Sequence, residues 1–279
     1  MAYKITIANS KGGVGKTTIT AMIGYIFAEK GKKVLLIDVD PQSNLTQIMA
    51  NTFYGDDEKE FGSTLYDGIV GKDLRRSIHE LSDQLHLIPS GYLDTAKIRT
   101  LFSDSNRYTL LKKHIDKFED EYDYIFFDVP PTFTTEFIEN ALTASDYFIV
   151  LSEASPFSLS GSGKFWDVAA EIHEHLNPNL ECLGILINMR EDNKKLLTML
   201  DTKYDFSNSE DFFKNYFPRR ERIAGYAAYG LFKRDIVVKS LIKYDIHDKR
   251  LMKLTHKVVE EIMEKIKAAE NAKGKEVTK

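Results

Sequence analysis

The stretch Ala8-Asn9-Ser10-Lys11-Gly12-Gly13-Val14-Gly15-Lys16-Thr17-Thr18 decides how the rest of the chain is read. Ahead of it, Tyr3 to Ala8 alternates and then runs apolar, as a buried strand does. Behind it, Thr17 to Lys30 carries Ile19, Met22, Ile23, Ile26 and Phe27 at helical spacing. The glycines therefore fall in a strand-to-helix turn. There they let successive backbone N–H groups converge on one anion, and the positive end of the helix dipole adds to the attraction. Glycines alone make a tight turn; glycines between this strand and this helix make a phosphate cradle. Gly12, Gly13, Val14, Gly15 and Thr18 frame it, Lys16 reaches the terminal phosphates, and Thr17 offers its hydroxyl to Mg²⁺.

The nucleotide pattern G-x-x-x-x-G-K-[ST] is missed by one residue, because Ser10 stands where its first glycine belongs, and a second lysine, Lys11, follows. Lys-Gly-Gly-Val-Gly-Lys-Thr-Thr resembles the deviant Walker A motif of the ParA/MinD superfamily of dimeric ATPases. The resemblance implies ATP and Mg²⁺ as cofactors and a homodimer formed on ATP binding. It also implies that Lys11 and Lys16 act catalytically, Lys11 by reaching the nucleotide held in the other subunit.

Later segments extend the pattern. Lys33 to Asp38 reads as a second buried strand, a short apolar run suited to a parallel sheet, and it delivers Asp38 and Asp40 to the strand end where such sheets bind ligands. Pro41 stops that strand and Ser43 is placed to cap a short helix. The segment resembles the family's switch I, which implies that Asp40 positions the attacking water and Asp38 supports the metal. Tyr122 to Asp128 ends in an acid and has the form of a Walker B strand, presenting Asp128 to the Mg²⁺ shell through a water. The Pro130-Pro131 that follows resembles switch II of the ParA branch. Leu183 to Asn188 is a further strand; Asn188, with Pro218 and Arg219 in Phe217-Pro218-Arg219, resembles the family's adenine-side residues, against a plain turn as the alternative.

Strands at Leu85 to Pro89 and Asp146 to Leu151 and a helix over Tyr108 to Phe118 complete the alternation. So do short helices at Leu65 to Val70 and Leu74 to His79, and a helix opened by Ser155 to Gly161 that contains Trp166, an aromatic read as core. Residues 51 to 84 are read as variable, with an exposed acidic loop at Asp56 to Glu58. The expected fold is α/β: a doubly wound, mostly parallel sheet flanked by helices on both faces, as in P-loop NTPases with the deviant Walker A motif. One domain over residues 1–279 is expected, with a packing helix near Leu251 to Ala269 and a frayed tail near 270–279.

Composition narrows the function classes. No apolar run approaches the roughly 20 residues of a membrane span, and the first strand begins too early for a signal peptide, so a cytoplasmic protein is expected. The single Cys182, read as a buried thiol, precludes an internal disulfide. It also cannot supply the paired cysteines of the iron-protein branch. Charge is segregated: residues 213–257 hold twelve Lys and Arg against four Asp and Glu, a net +8, so the remainder carries −12 within the formal total of −4. Clustered cations suit phosphate contacts. The resemblance implies non-specific double-stranded DNA as partner, with Arg219, Arg222, Lys233 and Arg234 as first contacts, and a ParB-like centromere-binding protein that stimulates hydrolysis. Together these give partition of plasmid or chromosomal DNA, with nucleoid association in the ATP-bound state. The rival is a MinD-like membrane-surface ATPase. Its basic lipid-inserting C-terminal helix is unlike Val258 to Ile266, where acids and bases mix, so no membrane partner is expected. A metabolic ligase of the dethiobiotin-synthetase kind would leave Lys11 and the basic segment unexplained.

Overall fold

The computed structural model describes every residue except 10, 57, 91–106, 132–134, 156–162, 192, 206–207, 233–245 and 277–279. Its strands are β1 (Tyr3–Ala8), β2 (Val34–Asp38), β3 (His79–Ser82), β4 (Leu85–Ile88), β5 (Tyr124–Asp128), β6 (Tyr147–Glu153) and β7 (Glu181–Asn188). The described helices are α1 (Lys16–Glu29), α2 (Asn44–Tyr54), α3 (Leu65–Val70), α4 (Leu110–Ile115), α5 (Thr135–Ala144), α6 (Gly163–His175), α7 (Lys194–Tyr204), α8 (Glu221–Tyr229) and α9 (Ile246–Glu276).

The seven strands form one sheet in the order β3-β4-β2-β5-β1-β6-β7, parallel throughout except for the β3/β4 pair. Period-two alternation sorts side chains between two cores. Val34 and Leu36, Tyr124 and Phe126, and Tyr147, Ile149 and Leu151 pack on one face with Ile19, Met22 and Ile26 of α1 and Val258, Val259 and Ile262 of α9. Leu35 and Ile37, Ile125 and Phe127, and Phe148 and Val150 pack on the other with α3, α4, α5 and α6. Helices on both faces bear out the doubly wound expectation.

The same parity decides where the strand-end polar residues go. Asp38, Asp128, Glu153 and Asn188 each lie an even number of residues beyond an α1-facing side chain of their strand, so all project toward α1 at the C-terminal edge. Asp38 is register partner of Asp128, and Glu153 of Asn188. At the opposite edge, Lys4 is buried and bonded to buried Glu119, with Asp146 at 3.6 Å. Burial works against the Lys4 charge, but these carboxylates outweigh it and raise its pKa.

Local departures have identifiable causes. The segment expected as a helix over Leu74 to His79 is a 3-10 turn at Leu74–Ser77 followed by β3, because β4 pairs antiparallel with it across Asp83-Gln84. The expected Tyr108 to Phe118 helix is a 3-10 turn at Arg107–Thr109 and the short α4. The C-terminal helix runs longer than its periodicity predicted, from Ile246 to Glu276. Cys182 is exposed on edge strand β7 rather than buried; its sulfur accepts the Gly184 N–H at 3.3 Å, and desolvation pushes the thiol pKa up to about 11. Trp166 is half-buried against Phe148, with ring centroids 5.7 Å apart, as a packing residue. Among the described residues no helix is long and apolar enough to cross a membrane.

Candidate active site

The loop between β1 and α1 is shaped by backbone conformations that favour glycine. Gly13 and Gly15 have φ of +76° and +86°, and Gly15 is the residue that opens α1. A Cβ on Gly15 would stand 2.5 Å from Asn188 Nδ2. That amide donates to the Val14 carbonyl at 2.8 Å, so β7 braces the loop from across the sheet, while Asn188 Oδ1 is buried without a partner. Nearer in, Asn9 Nδ2 donates to the Leu151 carbonyl at 2.6 Å, fastening the loop to β6, the strand between β1 and β7. Lys16 is buried and its ammonium donates to the Lys11 carbonyl at 3.3 Å. Burial lowers its pKa against the opposing pull of Asp128 and Asp40.

Beneath the loop lie two fully buried carboxylates. Asp38 accepts the Thr46 N–H at 2.9 Å, the Thr46 hydroxyl at 2.7 Å and the Asp40 N–H at 3.2 Å. Desolvation still pushes its pKa up to about 7. The bond from the Thr46 N–H also caps the first turn of α2, a task expected of Ser43: the Ser43 backbone is left-handed at φ 56°, and its buried hydroxyl makes no cap bond. Both oxygens of Asp128 are buried with no hydrogen bond of normal length and angle. Desolvation, then the neighbouring Asp38, raises its pKa well above the carboxylate range, and the nearby Thr17 hydroxyl offsets part of this. Asp40 is buried at the cleft wall, accepts the Gln42 N–H at 2.9 Å, and is likewise raised by desolvation.

A buried carboxylate without donors is costly unless a cation completes it. The described acids form no cluster of three that could hold a metal by themselves. Mg²⁺ suits that arrangement, since it takes one or two carboxylates, a hydroxyl and substrate phosphates and keeps several waters. Thr17, Asp38 and Asp128 are the residues that would hold it, and it would supply charge neutralisation and Lewis acidity at the phosphates.

The cleft above has a volume of about 700 Å³. Gly13, Gly15, Lys16, Thr17, Thr18 and Asp40 line it from the loop side, and Asn188, Pro218 and Arg219 line it too, whereas Gly12 and Val14 are not among the lining residues. Arg190 and Pro218 bridge as a strand extension there, with the Arg190 guanidinium 3.8 Å from the Tyr216 ring centroid. Contributors that were missed include Gln47 and Ile48 of α2, Met189, and the Ile223, Ala224 and Ala227 face of α8. The small residues at 224 and 227, one helical turn apart, are the signal that could have revealed the last.

Other expected residues fall elsewhere. Lys11 stands outside the described lining and donates to Glu153 at 2.7 Å. Arg219 pairs with Glu191 at 3.0 Å. Arg222 donates from Nε to Asp248 Oδ1 at 2.8 Å and from Nη2 to Oδ2; Asp248 is fully buried and also accepts the Tyr226 hydroxyl. Arg222 is thus a bolt between α8 and α9. Lys233 and Arg234 lie outside the described residues.

A glycine-shaped loop on a helix N-terminus, a buried lysine within it and a bare strand-end acid below define a P-loop nucleotide-hydrolysing enzyme. Residues 2–182 match the family AAA_31, described as an AAA domain. The chain is 29% identical to the sporulation initiation inhibitor protein Soj of Bacillus subtilis, covering 88% of this chain and 92% of that one. It is 29% identical to the chromosome-partitioning ATPase Soj of Thermus thermophilus, covering 81% and 85%. Cobyrinic acid a,c-diamide synthase from Mycobacterium smegmatis, solved with ADP and magnesium, superposes with a TM-score of 0.68 at 25% identity over 82% of this chain and 92% of that one. The chain belongs to the AAA domain family and, within it, to the ParA-type partition ATPases.

Proposed function

We propose that this chain is an Mg-ATP-dependent dimerising ATPase whose ATP-bound dimer binds double-stranded DNA without sequence preference and whose hydrolysis, stimulated by a ParB-like partner, releases it. Partition of plasmid or chromosomal DNA from the cytoplasm is the process such a cycle serves. The observation that carries most of this reading is the bare, buried Asp128 carboxylate beneath the Gly15–Lys16 turn. Lys16 and the loop N–H groups hold the phosphates, and Thr17, Asp38 and Asp128 hold Mg²⁺. Asp40, on the cleft wall, orients the attacking water. Lys11 acts across the dimer.

DNA binding is supported by the exposed cations of α9. Lys249, Lys253 and Lys257 recur every fourth residue on one exposed stripe, with Arg250 beside them. Arg250 also lines a second cleft of about 670 Å³ with Arg219, Arg220 and His247. Lipid insertion by α9 finds less support, since its bulky residues Val258, Val259, Ile262 and Ile266 are already buried on the sheet.

The test is Arg250→Glu combined with Lys253→Glu, leaving Arg222 in place because a glutamate there would face buried Asp248. Duplex binding with ATP should be lost while ATP-dependent dimerisation persists. In the parent the slope of log K against log salt should reflect about 0.9 per phosphate contact. Parent-like DNA binding by the double variant, or ATP-dependent binding to anionic vesicles in place of DNA, would overturn the proposal.

A further inference from the structure

Sequence reading passed over Glu153. It ends β6 on the α1-facing side of the sheet, in register with Asn188. Its carboxylate takes the Lys11 ammonium at 2.7 Å, with the two side chains 22% and 48% exposed. The surrounding backbone fixes this meeting. Asn9 ties the loop to Leu151, two residues before Glu153, and the Lys11 N–H donates to Asn9 Oδ1 at 3.0 Å. Within the same loop the two lysines diverge: Lys16 folds under it to the Lys11 carbonyl, whereas the Lys11 side chain leaves toward β6, outside the described lining of the cleft.

We propose that Glu153 is a positioning residue for Lys11, holding its ammonium on β6 in the monomer and setting the threshold at which it is released to a second subunit's phosphates. The inference rests on the cross-dimer role given to Lys11 above. An ammonium on a carboxylate and an ammonium on a phosphate are mutually exclusive states of one side chain, so the pair in the monomer opposes dimerisation by whatever it is worth. Half-exposed pairs of this kind shift equilibria by about 1.4- to 5-fold. A symmetric dimer breaks two, so the pair holds the dimer dissociation constant up by about 2- to 30-fold.

The experiment measures dimerisation of the full chain by light scattering across protein concentration, with Mg²⁺ and a non-hydrolysable ATP analogue, for the parent, Glu153→Gln, Glu153→Asp and Lys11→Ala. Glu153→Gln should dimerise at about 2- to 30-fold lower protein concentration. Glu153→Asp, which keeps the charge, should lie closer to the parent. Lys11→Ala should fail to dimerise, and adding Glu153→Gln to it should change nothing. A threshold for Glu153→Gln equal to or above the parent's, with Lys11→Ala still monomeric, overturns the positioning role alone. Normal dimerisation by Lys11→Ala overturns the cross-dimer reading of Lys11 and the inference with it. Thermal melting of each variant without nucleotide separates these results from misfolding.

Discussion

Replacing Gly15 by alanine tests the loop geometry most directly. Gly15 has φ +86°, and its added Cβ would stand 2.5 Å from Asn188 Nδ2. A left-handed backbone costs a non-glycine residue about 1–2 kcal/mol. Displacing Asn188 from the Val14 carbonyl strands buried polar atoms, at about 1–3 kcal/mol. The expected loss is therefore about 2–5 kcal/mol. Gly31, just past the end of α1, separates the two contributions: its φ is +79°, and nothing lies within 4 Å of an added Cβ. Gly31→Ala should cost only the backbone share, about 1–2 kcal/mol. Urea denaturation of both variants measures the difference, and Asn188→Ala in the Gly15→Ala background should recover part of the steric share as non-additivity. Binding of a fluorescent nucleotide should weaken in Gly15→Ala and not in Gly31→Ala. Equal stability losses in the two alanine variants would refute the argument that Asn188 braces the loop.

Asp128→Asn exchanges a buried carboxyl, whose charged form desolvation disfavours, for a neutral amide of the same shape, so the nucleotide-free protein should keep or raise its urea midpoint while Mg-dependent hydrolysis is abolished; a lower midpoint would contradict this. Asp40→Ala should accumulate an ATP-bound dimer that hydrolyses little, and phosphate release at the parental rate would remove Asp40 from the water-positioning role. Glu119→Ala leaves buried Lys4 without its nearest carboxylate and should cost about 3–5 kcal/mol, read by thermal melting, while nucleotide affinity at low temperature stays parental because the pair lies at the far edge of the sheet.

The parts of the site legible in the sequence were those whose chemistry and chain position coincide. The Gly12 to Thr18 loop had to sit between β1 and α1 because the glycine run was flanked by a strand pattern and a helix pattern, and Asp38 and Asp128 each closed an apolar run. What escaped was contributed by elements distant in sequence. The face of α8 that lines the cleft carries Ile223, Ala224 and Ala227, apolar residues that signal no chemistry until α2 is brought against it. There Asn51 Nδ2 donates to the Ala228 carbonyl at 3.2 Å, and Gly230 at φ +80° lets α8 close on the α2 backbone, where a Cβ would meet Thr52 N at 2.9 Å. Strand β3 escaped for a related reason: His79 to Ser82 has little apolar content, and its extended form comes from pairing with β4, a neighbour that no local pattern announces.

Charge shows the same limit from the other side. A count along residues 213–257 treats Asp248 as one acid to subtract and Arg222 as one cation to spend on a ligand. Folding withdraws both, since Asp248 is fully buried and Arg222 and Tyr226 converge on it. Their net contribution to the count is nil either way, so the +8 stands while the identity of the available cations changes. Removing Asp248 would leave Arg222 without its anchor and loosen α8, which lines the nucleotide cleft on one side and the basic cleft on the other. The residue that looked like a ligand contact is thus better placed to keep the two clefts in a fixed relation, and in the DNA-binding function proposed above the electrostatic role passes to the exposed stripe at Lys249, Lys253 and Lys257, because on a helix a four-residue spacing keeps positive charge on one face.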